Sequence, residues 1–313
     1  LESQNYPGEM EIIVVDDHST DETTKIVECG ICDSGCEVKL ISADVLPAGW
    51  LGKPNASHRG AKEARGQWLL FTDADTEHEA CSATSAVAFA EKHGLDGISV
   101  FPQQQTRGHL DGAVLTVAFV GLFAGLLRST TMLNGQYILV RRDVYEASGG
   151  FAAVGSEMMD DLAYGNLLAE QGYHVPIMRG ESLVSVHMYD NWQQMWHGLT
   201  RLGSGSLRHS GPLALTTAIF VTAVMMPLWT LIFNRYQLRE IPSLKFIWAT
   251  TIIGLIPWAK KINSKDRNAS EPGSAILEAV LAPAAAMFVQ VAALWGLLSR
   301  LVGRGVSWKN RRV

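Results

Sequence analysis

Residues 67 to 75, Gln-Trp-Leu-Leu-Phe-Thr-Asp-Ala-Asp, are an apolar run of strand length that delivers two carboxylates, Asp73 and Asp75, at its carboxyl end. In a strand, residues two apart project to the same side, so this pair is placed to offer oxygens to one hard divalent cation such as Mg²⁺ or Mn²⁺. A diphosphate is the natural third party. For an isolated Asp-x-Asp, a polar turn capping the next helix is the alternative reading. The same design occurs upstream, where Glu11-Ile-Ile-Val-Val runs into Asp16 and Asp17 and then into Ser19, Thr20, Asp21 and Thr23, residue types suited to start a helix. Ligands of open α/β sheets bind beyond the carboxyl ends of the strands, so the two acid-tipped strands are expected to face one crevice. A third pair, Asp160-Asp161, follows Gly149-Gly150-Phe151 and opens a segment, Leu162 to Gln171, with helix-like apolar spacing.

The elements around these acids come from composition and hydropathy. The chain has 313 residues, 47% of them hydrophobic, and a net charge of -5, which excludes a disordered or polybasic protein and makes nucleic acid an unsuitable partner. Pro212 to Phe233 contains 22 residues without one charge, enough to cross a core of ~30 Å at ~1.5 Å per residue, and reads as a transmembrane helix. Phe246 to Ala259 is short for a crossing, and Ala279 to Leu298 is long enough but contains Pro283. The basic clusters Lys260, Lys261, Lys265, Arg267 and Arg300, Arg304, Lys309, Arg311, Arg312 both ask to be cytoplasmic. Three full spans cannot satisfy both and also keep the amino-terminal half in the cytoplasm, so either one segment is re-entrant or surface-lying, or the rule is overridden. Gly112 to Leu127, bounded by Asp111 and Arg128, is too short to span and reads either as a helix on the membrane surface or as an ordinary core helix. Cys29, Cys32 and Cys36 lack a nearby fourth ligand, which argues against a structural metal site.

Taken in order, these motifs resemble the family 2 glycosyltransferases with the GT-A fold, over roughly residues 5 to 200. Val14-Val15-Asp16-Asp17-His-Ser19-Thr20-Asp21 is similar to that family's nucleotide-binding strand and turn, and Asp73-Ala-Asp75 to its metal-binding motif. Asn134-Gly135-Gln136 through Val140-Arg141-Arg142 and Gly149-Gly150-Phe151 resembles the segment before the catalytic acid, which is then Asp161; the family usually has Glu-Asp where this chain has Asp160-Asp161. Gly49-Trp50-Leu-Gly52-Lys53-Pro-Asn55-Ala56 is similar to a narrower signature of membrane-bound members that glycosylate carotenoid-type or hopanoid-associated lipids. The chain opens at Leu1, and Leu1 to Met10 resembles the family's linker before its second strand, so a first strand with base contacts is expected to be missing.

The resemblance implies an α/β GT-A fold, Rossmann-like with a mostly parallel sheet, plus C-terminal transmembrane helices. The expected division is a nucleotide-sugar domain over 1–205, a membrane region over 206–302 with two to three hydrophobic helices, and a basic tail over 303–313. It further implies a metal-dependent, inverting transfer of one sugar from a UDP-sugar to a lipophilic acceptor. The bilayer is a partner, and the enzyme is a multi-pass protein of the inner cell membrane with its catalytic domain cytoplasmic. In this reading Asp161 is the catalytic base; Asp16, Asp17, Lys53, Asn55 and Asp73 contact the donor; Asp73 and Asp75 hold Mg²⁺ or Mn²⁺, with Asp75 the more direct ligand. An acceptor carboxylate, as in the carotenoid-acid members, would need little base catalysis. His187 lies where some GT-A enzymes recruit an extra metal ligand, although a hydrogen-bonded loop histidine is the simpler reading. Trp192-Gln-Gln-Met-Trp196 lacks the Arg-Trp pair of processive synthases, and its tryptophans are spaced to share one helix face. Transfer to a polyprenyl phosphate, or a non-catalytic membrane scaffold of the same shape, are the alternatives.

Overall fold

A computed structural model describes residues 1–33, 37–43, 45–126, 132–209, 242–263, 272–302, 307–308 and 311–312. The chain divides into two compact units, one formed by Leu1–Pro102 with Thr131–Val186, the other by Gln103–Thr130 with His187–Val313.

The first unit is α/β. Strand β1 (Glu11–Asp16) and strand β2 (Glu37–Ser42) pair in parallel, with Glu11 opposite Glu37 and Asp16 opposite Ser42. A parallel pair needs a crossover, supplied here by helix α1 (Thr23–Asp33). The Asp21 carboxylate accepts the Thr23 backbone N–H at 3.0 Å and its hydroxyl at 2.5 Å, holding the entry to α1. Helix α2 (Gly52–Glu63) begins in the Gly-Trp-Leu-Gly-Lys-Pro segment, with Pro54 in the first turn where its missing N–H costs nothing.

Strand β3 (Trp68–Thr72) ends one residue before Asp73, and β4 (Thr76–His78) follows it directly. Helix α3 (Ser82–Lys92) leads to β5 (Gly97–Phe101). After the second unit's insertion come β7 (Tyr137–Arg141), α5 (Arg142–Ser148), a 3₁₀ turn over Gly150–Val154, α6 (Asp160–Glu170), β8 (Ile177–Arg179) and β9 (Val184–Val186). Four strands form a sheet in the order β3-β7-β5-β8, and β4 pairs antiparallel with β9. The expectation of a mostly parallel sheet is corrected here: β5 and β8 are parallel, but β7 lies between β3 and β5 and is antiparallel to both, so the sheet is mixed.

The reason for this placement is visible in β7 itself. Ile138 and Val140 are buried with Leu69, Tyr145, Phe151, Tyr164 and Leu168, whereas Tyr137 and Leu139 are buried with Val87, Ile98 and Val100. Side chains alternate across a strand, so a strand apolar on both faces is stable only in the centre of a sheet covered on both sides.

The second unit holds β6 (Gln103–Gln104) and the helices α4 (His109–Leu126), α7 (Trp192–His209), α8 (Pro242–Asn263) and α9 (Pro272–Leu301), with β10 (Ser307–Trp308) antiparallel to β11 (Arg311–Arg312). Helix α9 packs against α4, α7 and α8. Its buried residues are mostly alanines, Ala275, Ala279, Ala282, Ala286 and Ala292 among them, while Ile276, Leu277, Val280, Val291, Leu294, Trp295 and Leu298 are exposed. The small residues let helices approach closely, and the large apolar ones face outward, an arrangement suited to lipid. Ala113, Val114, Leu115, Val117 and Val120 of α4 are buried, so this stretch is a core helix of its unit rather than a surface-lying one. Trp192 and Trp196 share a face, both meeting the Phe288 ring edge-on at 5.4 and 5.6 Å.

Of the two to three hydrophobic helices expected in the membrane half, one among the described residues, Ala275–Ser299, is long and apolar enough to cross a bilayer. It begins before Ala279 and continues through Pro283 without a break, which a helix tolerates when neighbouring helices re-satisfy the freed carbonyl. The run Pro212 to Phe233 lies outside the described residues. Within the second unit, α4 and the beginning of α7 pack against α9.

Candidate active site

The acids named from sequence sit at element ends in the first unit. Asp16 closes β1, and its carboxylate accepts the Ser19 N–H at 3.0 Å; the side chain of Asp17 pairs with His18 at 3.3 Å. Asp73 and Asp75 do not lie on a strand. Residues 73 to 76 form a tight turn closed by the Thr76 N–H on the Asp73 carbonyl at 3.3 Å. Strand alternation therefore does not put the two carboxylates on one side; the turn sets their directions instead, and Asp75 is exposed.

Helix α6 starts at Asp160, as its sequence spacing implied. Neither acid acts as a conventional cap: the N-cap position is Met159, with no side-chain cap bond. The Asp161 Oδ1 accepts the Leu162 N–H at 2.8 Å, while Oδ2 turns to the Gly135 N–H at 3.0 Å. A backbone donor on a carboxylate fixes its direction and is stronger than a neutral hydrogen bond.

Lys53, in the first turn of α2, brings the groups together. Its ammonium meets the Asp73 Oδ1 at 2.6 Å, with the Lys53 side chain 41% and the Asp73 side chain 32% exposed. Burial of the amine opposes its charge, but the carboxylates of Asp73, Asp160 and Asp161 outweigh that and hold the pKa above the ordinary lysine value. A Cβ on Gly135 would lie 3.0 Å from the Lys53 Nζ and 3.2 Å from the Asp161 Oδ2, so both charged groups crowd one backbone position that only glycine leaves open. The loop before Lys53 is anchored by the Leu51 N–H on the Gly155 carbonyl at 2.8 Å. The fold thus gathers Lys53, Asp73, Asp160 and Asp161 around Gly135.

Asn55 departs from its expected role. It is 2% exposed, and its Nδ2 donates to the Val45 carbonyl at 3.3 Å, where it holds the loop ahead of α2. His187 pairs with Asp190 at 3.2 Å in the second unit, as a loop histidine does. Cys29 is exposed on α1, and Cys36 lies outside the described residues. Sequence reasoning quoted Gly135 only as part of a motif and missed His78, Thr72 and Thr76, which lie directly behind the Asp73 turn. Their only signal was a histidine three residues past Asp75.

Among the described residues no three His, Cys, Asp or Glu side chains converge as a metal site. The donor set still fits a hard divalent ion of the kind held by one or two carboxylates with the rest of its shell from water and substrate phosphates. The Asp73 carboxylate meets Lys53, and Asp75 is exposed at the same turn.

Residues 1–148 match the model of Glycosyl transferase family 2. Among curated proteins, 4,4'-diaponeurosporenoate glycosyltransferase of Staphylococcus aureus strain USA300 is 23% identical over 263 residues, covering 79% of this chain and 68% of its own length. The protein of that name from the bovine strain RF122 is 25% identical over 204 residues, covering 61% of this chain and 52% of its own. Among solved structures, S. aureus TarS aligns with a TM-score of 0.45 and 13% identity over 99% of this chain, which spans 52% of that one. Glucosyl-3-phosphoglycerate synthase of Mycobacterium tuberculosis, in complex with Mn²⁺, UDP and glucosyl-3-phosphoglycerate, aligns with a TM-score of 0.38 and 20% identity, covering 66% of this chain and 69% of its own. Likenesses at these TM-scores carry no weight for function.

Proposed function

Taking as premise that this chain is a family 2 glycosyltransferase, we propose that it moves a single sugar from a UDP-sugar to a lipophilic, carotenoid- or hopanoid-like acceptor at a membrane, inverting the anomeric centre. The observation that carries the reading is the meeting of Asp73 and Asp161 at the Lys53 ammonium, with Lys53 and Asp161 both beside Gly135. A donor diphosphate needs cationic partners, and Lys53 offers one at the end of a carboxylate-tipped strand. Asp16 and Asp17 contact the uridine, and Asp73 contacts the ribose or the cation. Asp75, with help from Asp73, would hold Mg²⁺ or Mn²⁺, which would supply Lewis-acid stabilisation of the diphosphate leaving group.

Asp161 is the base. Its Oδ2 is held by the Gly135 N–H and its charge is balanced by Lys53 nearby. As the acceptor oxygen bonds to the anomeric carbon and the bond from that carbon to the diphosphate oxygen breaks, the hydroxyl proton passes to Asp161. The named relatives act on a carboxylate-bearing polyene by the wording of their name. An acceptor of that class arrives without a proton to remove, and Asp161 would then act mainly in orientation. Membrane attachment is assigned to Ala275–Ser299, with the catalytic unit on the cytoplasmic side.

Calorimetric titration of UDP into detergent-solubilised protein, with and without Mn²⁺ and alongside Asp75→Asn, tests the donor site. The reading requires metal-dependent binding that the variant loses; no UDP binding by folded protein would overturn it. Asp161→Asn then separates the acceptor classes. A fall of about 10²–10⁴-fold in turnover marks a hydroxyl acceptor, the usual range for lost general-base catalysis, and a fall under tenfold a carboxylate.

A further inference from the structure

Behind the Asp73 turn lies a hydrogen-bonded cluster that the proposed chemistry does not use. The His78 Nε2 lies 2.9 Å from the Thr72 Oγ1 and 3.1 Å from the Thr76 Oγ1. The Thr72 hydroxyl donates to the Gln136 carbonyl at 3.0 Å, and the Thr76 hydroxyl donates to the Asp73 carbonyl at 2.6 Å. On its other side the His78 Nδ1 is 3.4 Å from the Ser82 Oγ, and its ring lies 5.6 Å from that of the buried Tyr137.

The Thr72 and Thr76 hydroxyls also lie 2.7 Å from each other, so the His78 Nε2 and the two oxygens form a triangle from which the threonines reach the two carbonyls. A proton on Nε2 gives this triangle a third donor beside the two hydroxyls and leaves Nδ1 to accept from Ser82. Burial supports a neutral ring, pushing the His78 pKa down to about 4.

The two carbonyls belong to two different turns. One is the Asp73 turn that carries the proposed diphosphate-binding acids. The other is Asn134-Gly135-Gln136, whose Gly135 N–H holds Asp161. We propose that His78 is a positioning residue: its Nε2–H, through Thr72 and Thr76, locks the Asp73 turn to the Asn134–Gln136 turn and so sets the distance between the donor-binding acids and the base. The catalytic meaning of that lock rests on the function proposed above, whereas the lock itself does not.

Amide hydrogen exchange of the full-length protein in detergent, without ligand, tests it on three variants whose melting temperatures are recorded alongside. The amides of Thr76, Gln136 and Tyr137 are bonded within the two turns, that of Gly135 is bonded to Asp161, and all four serve as reporters. His78→Phe is expected to speed exchange at both turns by about tenfold, the factor that corresponds to one lost hydrogen bond, with β5 unchanged. His78→Gln, which keeps an N–H donor at the end of a side chain of similar reach, is expected to restore protection at both. Should His78→Phe not fold, Thr72→Val takes its place and is expected to loosen the Asn134–Gln136 turn while His78 stays in position. Unchanged exchange in the variant that folds, or a Gln variant as loose as Phe, overturns the proposal, as does loosening confined to the Asp73 turn. Absence of UDP binding by the wild-type protein would instead remove the functional reading and leave the exchange result standing.

Discussion

Gly135→Ala is the substitution that separates site geometry from fold stability most cleanly. Gly135 is not among the positive-φ glycines, so alanine fits its backbone, and reduced freedom of the unfolded chain should favour the variant by about 0.4–1 kcal/mol. The cost falls on the site. The new methyl would sit 3.0 Å from the Lys53 Nζ and 3.2 Å from the Asp161 Oδ2. Lysine is the end of a flexible chain and can swing away, loosening its 2.6 Å pair with Asp73. Asp161 is held by α6 and must give by a few tenths of an ångström, which lengthens and weakens its 3.0 Å bond from the Gly135 N–H. Hydrogen bonds to charged groups contribute about 1.5–3 kcal/mol, and each ~1.4 kcal/mol is tenfold in rate. Turnover should therefore fall by about 10- to 100-fold at saturating donor, with the melting temperature unchanged or slightly raised. The assay is UDP release from a UDP-sugar with a hydroxyl-bearing carotenoid in micelles as the acceptor probe, paired with a thermal melt. Wild-type turnover in the variant would refute the reasoning, and so would a loss of turnover matched by a collapse in melting temperature.

Further outcomes follow from other contacts. Asp73→Asn leaves Lys53 without its carboxylate partner and should weaken Mn²⁺-dependent UDP binding less than Asp75→Asn does; calorimetry reversing that order would make Asp73 the principal ligand. His78 has a folded pKa depressed to about 4 by burial, so its contribution to stability is present above the unfolded value of about 6.5 and is lost as pH falls from there toward 4. Thermal melts between pH 7 and 4 should show a decline that His78→Gln lessens, and an equal decline in both would contradict the assignment. Gly150 combines φ of 53° with a Tyr145 ring 2.3 Å from where a Cβ would stand. Gly150→Ala should destabilise the first unit by about 2–4 kcal/mol from left-handed strain and overpacking, and denaturant melts showing under 1 kcal/mol would contradict that.

Much of the site was legible residue by residue and much of its assembly was not. The ends of β1 and β3 and the start of α6 follow from local pattern: apolar runs of strand length, then acids, then helix-starting residues. Asp73 and Asp75 were recognisable as a pair, yet their placement on a strand was wrong, because the apolar run stops at Thr72 and the next residues close a turn onto β4. Asn55 looked like a donor contact from its motif, but burial commits it to the Val45 carbonyl. The single long apolar helix among the described residues was visible in the sequence as Ala279 to Leu298, and the structure carries its apolar span four residues further toward the amino end and one further at the other.

What the sequence determined by itself is therefore local: which segments are strands and helices, which of them end in carboxylates, and that one half of the chain is unusually apolar. These depend on the period of side-chain alternation and on residue chemistry within a few positions. Only the tertiary structure decided which ends meet. The contact of Asp161 with Gly135 joins positions 26 apart, and Lys53 and Asp73 come from a helix and a strand end. The antiparallel insertion of β7 depends on two cores that must both be filled, and the His78 cluster depends on Thr72 meeting the Gln136 carbonyl of a distant segment. Partner choice over such distances is settled by total burial and by satisfying every buried polar group at once, a sum over the whole fold that no short stretch of residues encodes.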